Sequence, residues 1–358
     1  MREMQAPTPK IGEGETDMMG TTVGHADVEA PGPGGGTPAP AAASTVRRTP
    51  RLGIPRWFKL LMSDRKAAFG IGIMVFFLLV AFVGPLIWQG DPMAADYTVR
   101  PQQPPSAQHW LGTDQQSHDI FLQMIDGTKP TLLLGFAIGL VTTAIAVAIG
   151  LTAGSLGGLV DEALMLLANI VLVFPGFPLI IAVASWIHVR NDLPIIVVIS
   201  LTSWAWGARV LRSQAMSIRQ KDFVMASIVS GESRGRIIFS EVMPNMISLI
   251  ASSLIGTIVF GIMAAAGLQF LGFGNINEVN WFTVLYWAQN ASALQTGAWW
   301  TFVPAGLAIA LVGTALSLIN YGIDEISNPR LRVEKVKAPK RATAATPAPA
   351  TIGKVAAR

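Results

Sequence analysis

The chain has 358 residues, of which 51% are hydrophobic and only 13% charged, with a net charge of +4. A soluble domain carries about 25% charged residues, so this composition excludes an ordinary water-soluble globule. The absence of cysteine excludes disulfides, thiolate metal sites and thiol nucleophiles.

Residues 1–55 are rich in Gly, Pro, Ala and Thr, as in APGPGGGTPAPAAAST at 30–45. Such a stretch buries too little apolar surface to offset its ordering entropy, and it is expected to be disordered. It lacks the compact apolar core of a secretory signal. The tail 333–358 reads the same way. Between the tails, residues 67–90, 130–160, 163–187, 242–277 and 279–323 carry no Asp, Glu, Lys or Arg. A helix needs about 20 apolar residues to cross a hydrocarbon core of about 30 Å. Six spans follow, at about 69–88, 130–154, 163–187, 193–211, 246–272 and 300–323. The fold class is all-α, a polytopic protein embedded in a lipid bilayer.

Each span carries a local signal. Trp88 closes the first at an interface. Gly150, Gly154 and Gly158 repeat at four-residue spacing near the end of the second, which suits close helix packing. FPGFP at 174–178 kinks the third, because Pro175 and Pro178 cannot complete the helical ladder; a substrate path beside the kink is an open alternative to plain bending. Arg209 and Arg212 are placed to snorkel from the end of the fourth.

Orientation follows from Lys and Arg. With both termini and the 209–241 loop on one side, only Arg100, Lys129 and Arg190 of the 26 basic residues fall on the other. Arg56, Lys59, Arg65 and Lys66 flank the first span. Arg209, Arg212, Arg219, Lys221, Arg234 and Arg236 fill the middle loop, and Arg330 and Arg332 follow the last span. The positive-inside rule makes this side cytoplasmic. The basic excess is therefore a topology signal, and no basic folded face for nucleic acid is visible. The turn 155–162, with Asp161 and Glu162, adds nothing to the assignment.

No ionisable residue falls in the middle of a predicted span, although such residues mark ion pathways and proton relays. No Walker A pattern is present, since the one Gly-Lys pair, Gly353-Lys354, is followed by Val355 in the tail. The chain holds no energy source of its own. His25, His109, His118 and His188 are scattered without metal-ligand spacing, so no metal or cofactor is expected.

A polar hinge between two apolar runs is MASIVSGESRGRIIFSEVMPN, 225–245. Asp222 is positioned to cap a first short helix, with Val224, Ile228 and Gly231 on one face. Gly231 ends that helix in a left-handed conformation. Ser233 caps a second helix whose Ile238 and Val242 form an apolar stripe, with Arg234 and Arg236 in water. Pro244 breaks the chain before the fifth span. Two readings fit: a rigid helix–turn–helix elbow projecting into the cytoplasm, or an amphipathic loop lying on headgroups.

This stretch resembles the coupling loop of ABC importer permeases: Glu-Ala-Ala, three residues, Gly, nine residues, and a closing Ile-x-Leu-Pro. Met225, Ala226, Ser227, Gly231, Met243 and Pro244 fall on that spacing. Met225 stands where the family has Glu, and Glu241 where it often has His, which leaves Asp222 or Glu232 to fix the loop. RIIFSEVMPN at 236–245 is similar to the ending found in permeases of the dipeptide/oligopeptide/nickel type. HWLGTD (109–114), DIF (119–121), GGLVDEALM (157–165), FP (174–175), FLGFG (270–274), Trp281 and NPRLR (328–332) match in order, with Ser117 and His118 replacing a usual Gly-Arg. The likeness covers about 58–332 and is to the second, C-type, subunit.

The resemblance implies the six-span type I importer permease fold over 56–332 and a coupling loop at 221–245. Its site residues are Asp222, Met225, Ala226, Ser227, Gly231, Ser233, Arg236, Glu241 and Pro244. It implies a heterodimer with a homologous permease, two cytoplasmic ATPase subunits that hydrolyse ATP, and an extracytoplasmic binding protein. The permease itself is then no enzyme. The cargo expected is short peptides or related solutes. The alternative is oligosaccharide, because 273–299 holds Trp281, Trp287, Trp299 and several amides. Headgroup anchoring is the first reading of those tryptophans; contact with cargo or binding protein is the other. HWLGTD is expected to be a plug or docking surface, with His109 lacking partners for a metal. A secondary carrier would show intramembrane charge, and a membrane enzyme would show a polar catalytic set.

Overall fold

The computed structural model describes residues 62, 64–187 and 191–327. The tails 1–55 and 333–358, Arg190, and the NPRLR segment lie outside the described residues. Among the described residues the chain is helical, with only two isolated bridges, Ala95 to His118 and Thr113 to Asp119.

The first helix, α1, runs Arg65–Ile87 and is capped by Asp64, whose carboxylate accepts the Lys66 amide at 3.2 Å. The second, α2, runs Ile120–Leu156. Its 37 residues give a length of about 55 Å, well beyond the hydrocarbon thickness. It begins ten residues ahead of the expected span. Asp119 caps it, accepting the Phe121 amide at 2.7 Å and the Leu122 amide at 3.3 Å. Asp126 and Lys129 therefore lie inside a helix, where the apolar run alone had left them in a loop.

The expected third span is broken in two. Helix α3, Gly158–Val173, and α4, Gly176–Ile187, meet at 90° across Phe174-Pro175. Helix α5, Asp192–Arg219, extends two turns past its expected end, so Arg209 and Arg212 lie within it. Then come α6, Asp222–Val229, and α7, Arg234–Phe270. Beyond α7 lie α8 (Trp281–Asn290), α9 (Ala293–Thr296) and α10 (Val303–Ser327). Helices α1, α2, α5, α7 and α10 are long and apolar enough to cross a membrane, and the bent α3–α4 pair makes a sixth span when counted as one.

Helix α2 is the axis of the bundle. On one face Gly150 and Gly154 let α5 approach: a Cβ at Gly150 would lie 2.6 Å from the Ala208 carbonyl, and one at Gly154 2.7 Å from the Arg212 carbonyl. Plain packing thus accounts for Gly150 and Gly154, whereas Gly158, at φ +58° with nothing within 4 Å of its Cβ position, belongs to the turn into α3. Hydroxyls stitch the neighbours. Thr142 donates to Ser200 at 3.2 Å, and Thr143 and Thr257 share a hydrogen bond at 2.7 Å. Such interhelical bonds supply directional attraction where lipid supplies no hydrophobic force.

Burial divides into two main cores. One holds Ile138, Ile180, Ile195, Ile199, Ile262, Trp281 and Phe282. The other holds Leu151, Ala168, Leu211, Ala215, Val224, Ile237 and Met246. We refer to the second as the elbow half and the first as the far half.

The far half is closed by residues 88–119 and 271–302. His109 Nδ1 lies 2.8 Å from Asp119 and its Nε2 3.4 Å from Asp96. Asp114 accepts the His118 amide at 2.8 Å and Gln123 Nε2 at 3.0 Å, and it pairs with His118 Nδ1 at 3.0 Å. HWLGTD is thus a structural clasp on the start of α2, and His109 has carboxylate partners that its sequence position did not reveal. Among the described residues no group of three or more His, Asp or Glu is arranged to hold a metal ion. Trp281 is 1% exposed, and its indole donates to the Met124 carbonyl at 3.0 Å. The indole of Trp287 donates to the Ile276 carbonyl at 3.0 Å. Headgroup anchoring is therefore wrong for Trp281, a core residue.

Candidate functional site

The segment from Lys221 to Met246 forms an elbow between α5 and α7. Asp222 is not its cap. Lys221 occupies that position without a side-chain hydrogen bond, and Asp222 is the first residue of α6. There its charge still favours the helix N-terminus. The far end of α6 closes as a Schellman motif: the Glu232 amide donates to the Ser227 carbonyl at 3.2 Å and the Gly231 amide to the Ile228 carbonyl at 3.1 Å. Gly231 adopts φ +79°, the conformation its place in the sequence predicts.

Ser227 and Ser230 tighten α6 by donating to the Phe223 carbonyl at 3.2 Å and the Ala226 carbonyl at 2.9 Å. Ser233 caps the next turn, its hydroxyl accepting the Arg236 amide at 3.4 Å. Glu232 reaches Arg236 at 3.2 Å, an i,i+4 pair of the type that supports a helix start. Glu232 thus makes an ion pair within the elbow, where Met225 replaces the family's Glu.

Pro244 does not break the chain. Ile237–Val242 winds as a π-helix and Met243–Met246 as a 3-10 turn, after which the regular α-helix resumes at Ile247. The change of register takes up the missing amide of proline. The second arm of the elbow is therefore continuous with the membrane helix α7. Glu241 lies in the π segment, and its carbonyl accepts Asn245 Nδ2 at 2.7 Å.

The elbow has an inner and an outer surface. Val224, fully buried, packs with Ile237, Val242 and Met246 against Leu151 of α2 and Leu211, Ala215 and Ile218 of α5. On the outside, Phe223, Met225, Ile228 and Phe239 are exposed, and Val229 is 85% exposed. Ile228 therefore does not share the inward face expected for it with Val224. Residues 221–245 carry Lys221, Arg234 and Arg236 against Asp222, Glu232 and Glu241, a balanced charge. Of these outer apolar residues Met225 stands in the motif, while Phe223, Ile228, Val229 and Phe239 stand outside it. Their exposure comes from the roll of α6 about Val224, which periodicity over eight residues does not fix.

Comparison with known proteins shows the family of the chain. The family described as "Binding-protein-dependent transport system inner membrane component" matches residues 146–333, just over half of the chain. The chain belongs to that family. It is an ABC importer permease subunit of the C type and a multi-pass protein of the bacterial inner membrane, and the match contains the whole elbow.

Curated relatives extend the likeness. The dipeptide transport system permease protein DppC of Alkalihalophilus pseudofirmus is 30% identical over 280 residues, covering 77% of this chain and 89% of the relative. The oligopeptide transport system permease protein OppC of Bacillus subtilis is 26% identical over 299 residues, covering 82% and 96%. The OppC of Mycobacterium tuberculosis is 30% identical over 234 residues, covering 64% and 79%. As a component of a binding-protein-dependent system, this permease works with partners rather than alone.

Proposed function

We propose that this permease forms half of a translocation path for short peptides, beside a homologous permease, and that two ATPase subunits drive it through the elbow. The observation that carries the reading is the elbow's two-sidedness. Its inner face is locked into the ends of α2 and α5, while Phe223, Met225, Val229 and Phe239 point outward. A covering partner would bury that apolar patch. Balanced charge and an eight-residue helix suit a protein groove better than an anionic headgroup layer. The distribution of Lys and Arg makes the elbow side, with both termini, cytoplasmic. An extracytoplasmic binding protein then delivers cargo to the opposite side.

The peptide reading rests on the names of the relatives. The oligosaccharide alternative rested on an aromatic and amide-rich outer segment. Trp281 and Asn280 are buried there, and Asn280 is engaged in capping α8, which weakens a sugar platform.

The test is assembly. The tagged chain should co-purify with its two ATPase subunits, and ATP-driven uptake in vesicles should require them. Gly231→Val adds side-chain atoms where nothing lies within 4 Å of the Cβ position, so it strains only the turn, by about 1–2 kcal/mol. It should preserve membrane insertion and cut uptake by about tenfold or more. Normal uptake by that variant, or uphill uptake by the chain without ATPases, contradicts the reading.

A further inference from the structure

The two halves of the broken third span belong to different cores. Ala168 of α3 packs in the elbow half with Leu211, Ala215 and Val224. Ile180 and Ala184 of α4 pack in the far half with Ile195 and Ile199. Of the sixteen residues of α3, only Asp161 and Ala168 are buried, and these lie seven apart, on the face toward α5. A narrow apolar strip, Ala168 with the partly buried Met165, Val171 and Leu172, holds α3 to its neighbours.

Polar contacts fix it further. Arg212 of α5 donates from Nε and Nη2 to the two carboxylate oxygens of Asp161. Arg209, one turn earlier, donates to Asn169 Oδ1. The backbone of Arg212 also lies against Gly154 of α2, so one residue joins three helices. Seven residues further on, α5 ends at Arg219, and the elbow begins. Arg212 therefore does not snorkel to the interface. An apolar contact between smooth helices slides readily, whereas a bidentate guanidinium–carboxylate pair fixes both distance and direction. Removing one partner leaves the other charge uncompensated.

We propose that Asp161 and Arg212 are positioning residues for transport: their pairing makes α3 travel with α5 and the elbow, and the Phe174-Pro175 break is the hinge at which α3 turns against α4. The proposal rests on the elbow being the driven element. Motion at the elbow then reaches the middle of the third span directly, as a rigid-body displacement.

The chain lacks cysteine, so thiols introduced at Leu166 on α3 and Val229 on the elbow, both exposed, take spin labels without background. In the purified full chain the label pair should give one narrow distance. Asp161→Asn should broaden it, and the exchanged pair Asp161→Arg with Arg212→Asp should narrow it again. In the assembled importer, Asp161→Asn should lower uptake per ATP hydrolysed by about tenfold, and the exchange should recover most of that loss. A distance that stays narrow in Asp161→Asn, or stays broad in the exchanged pair, overturns the clip. A broadened distance with unchanged uptake per ATP overturns its part in transport. Failure of the native chain to bind ATPases, read separately by co-purification, would instead overturn the elbow reading.

Discussion

Residues 88–119 and 271–302 close one end of the bundle with side chains locked into each other. At the other end, residues 221–246 hold on by a few buried apolar groups and turn the rest outward. In the far half, His109 joins Asp96 to Asp119, Asp114 joins His118 to Gln123, and Trp281 fills the core while bonding to Met124. In the elbow half, Val224, Ile237, Val242 and Met246 supply the inner contact, and Phe223, Val229 and Phe239 face out. The far end is built to keep its shape. On the proposed function, the elbow is held by a partner and passes displacement inward.

That contrast makes substitutions in the two halves fail differently. The largest stability effect belongs to the far half. Trp281→Ala empties a buried site and removes the indole's bond to the Met124 carbonyl, which should cost about 3–5 kcal/mol and appear as early thermal aggregation of the purified chain. An equally large loss from truncating Val229 would erase the distinction, because an exposed side chain should change stability by no more than about 0.5 kcal/mol.

A smaller effect concerns pH. Burial alone would lower the affinity of His109 for a proton, but the Asp119 and Asp96 carboxylates outweigh it and raise its pKa above the ordinary 6.5. A raised folded value means that the clasp's contribution is fully present below about pH 6.5 and is lost as pH rises through the raised value. His109→Gln should flatten the pH dependence of protease resistance at residues 88–119, by about 1 kcal/mol or less. An unchanged profile would show that the clasp does not depend on the imidazolium. The Asp96 carboxyl is held below its usual range chiefly by the Thr98 hydroxyl and amide, with His109 adding less, so this contact weakens only in acid.

The long apolar runs made the spans legible, and the glycine at 231 made the turn legible, because both depend on local physics alone. Three features needed the third dimension. Helix α2 extends back to Ile120 because Asp119 caps it and the far cap covers its polar first turns, which a charge-free window cannot register. Pro244 is absorbed by a π and 3-10 register change, a tertiary compromise that reads as a break in sequence. The Asp161–Arg212 pair joins residues 51 apart; each looked like an isolated loop or interface charge. At the elbow, the motif positions were readable, but the outward set of Phe223, Val229 and Phe239 was not, since a short helix can roll without changing its pattern. The Glu232–Arg236 pair was within reach of i,i+4 charge reading.

The central claim is that this permease is moved through the outer face of its elbow. In the otherwise cysteine-free chain, Val229→Cys places one thiol on that face, and a short bifunctional crosslinker applied to the assembled importer should join it to an ATPase subunit. A matched thiol at Leu193, exposed on the far side of α5, should give no such product. Crosslinking at Leu193 but not at Val229, in a preparation that still transports, would contradict the account.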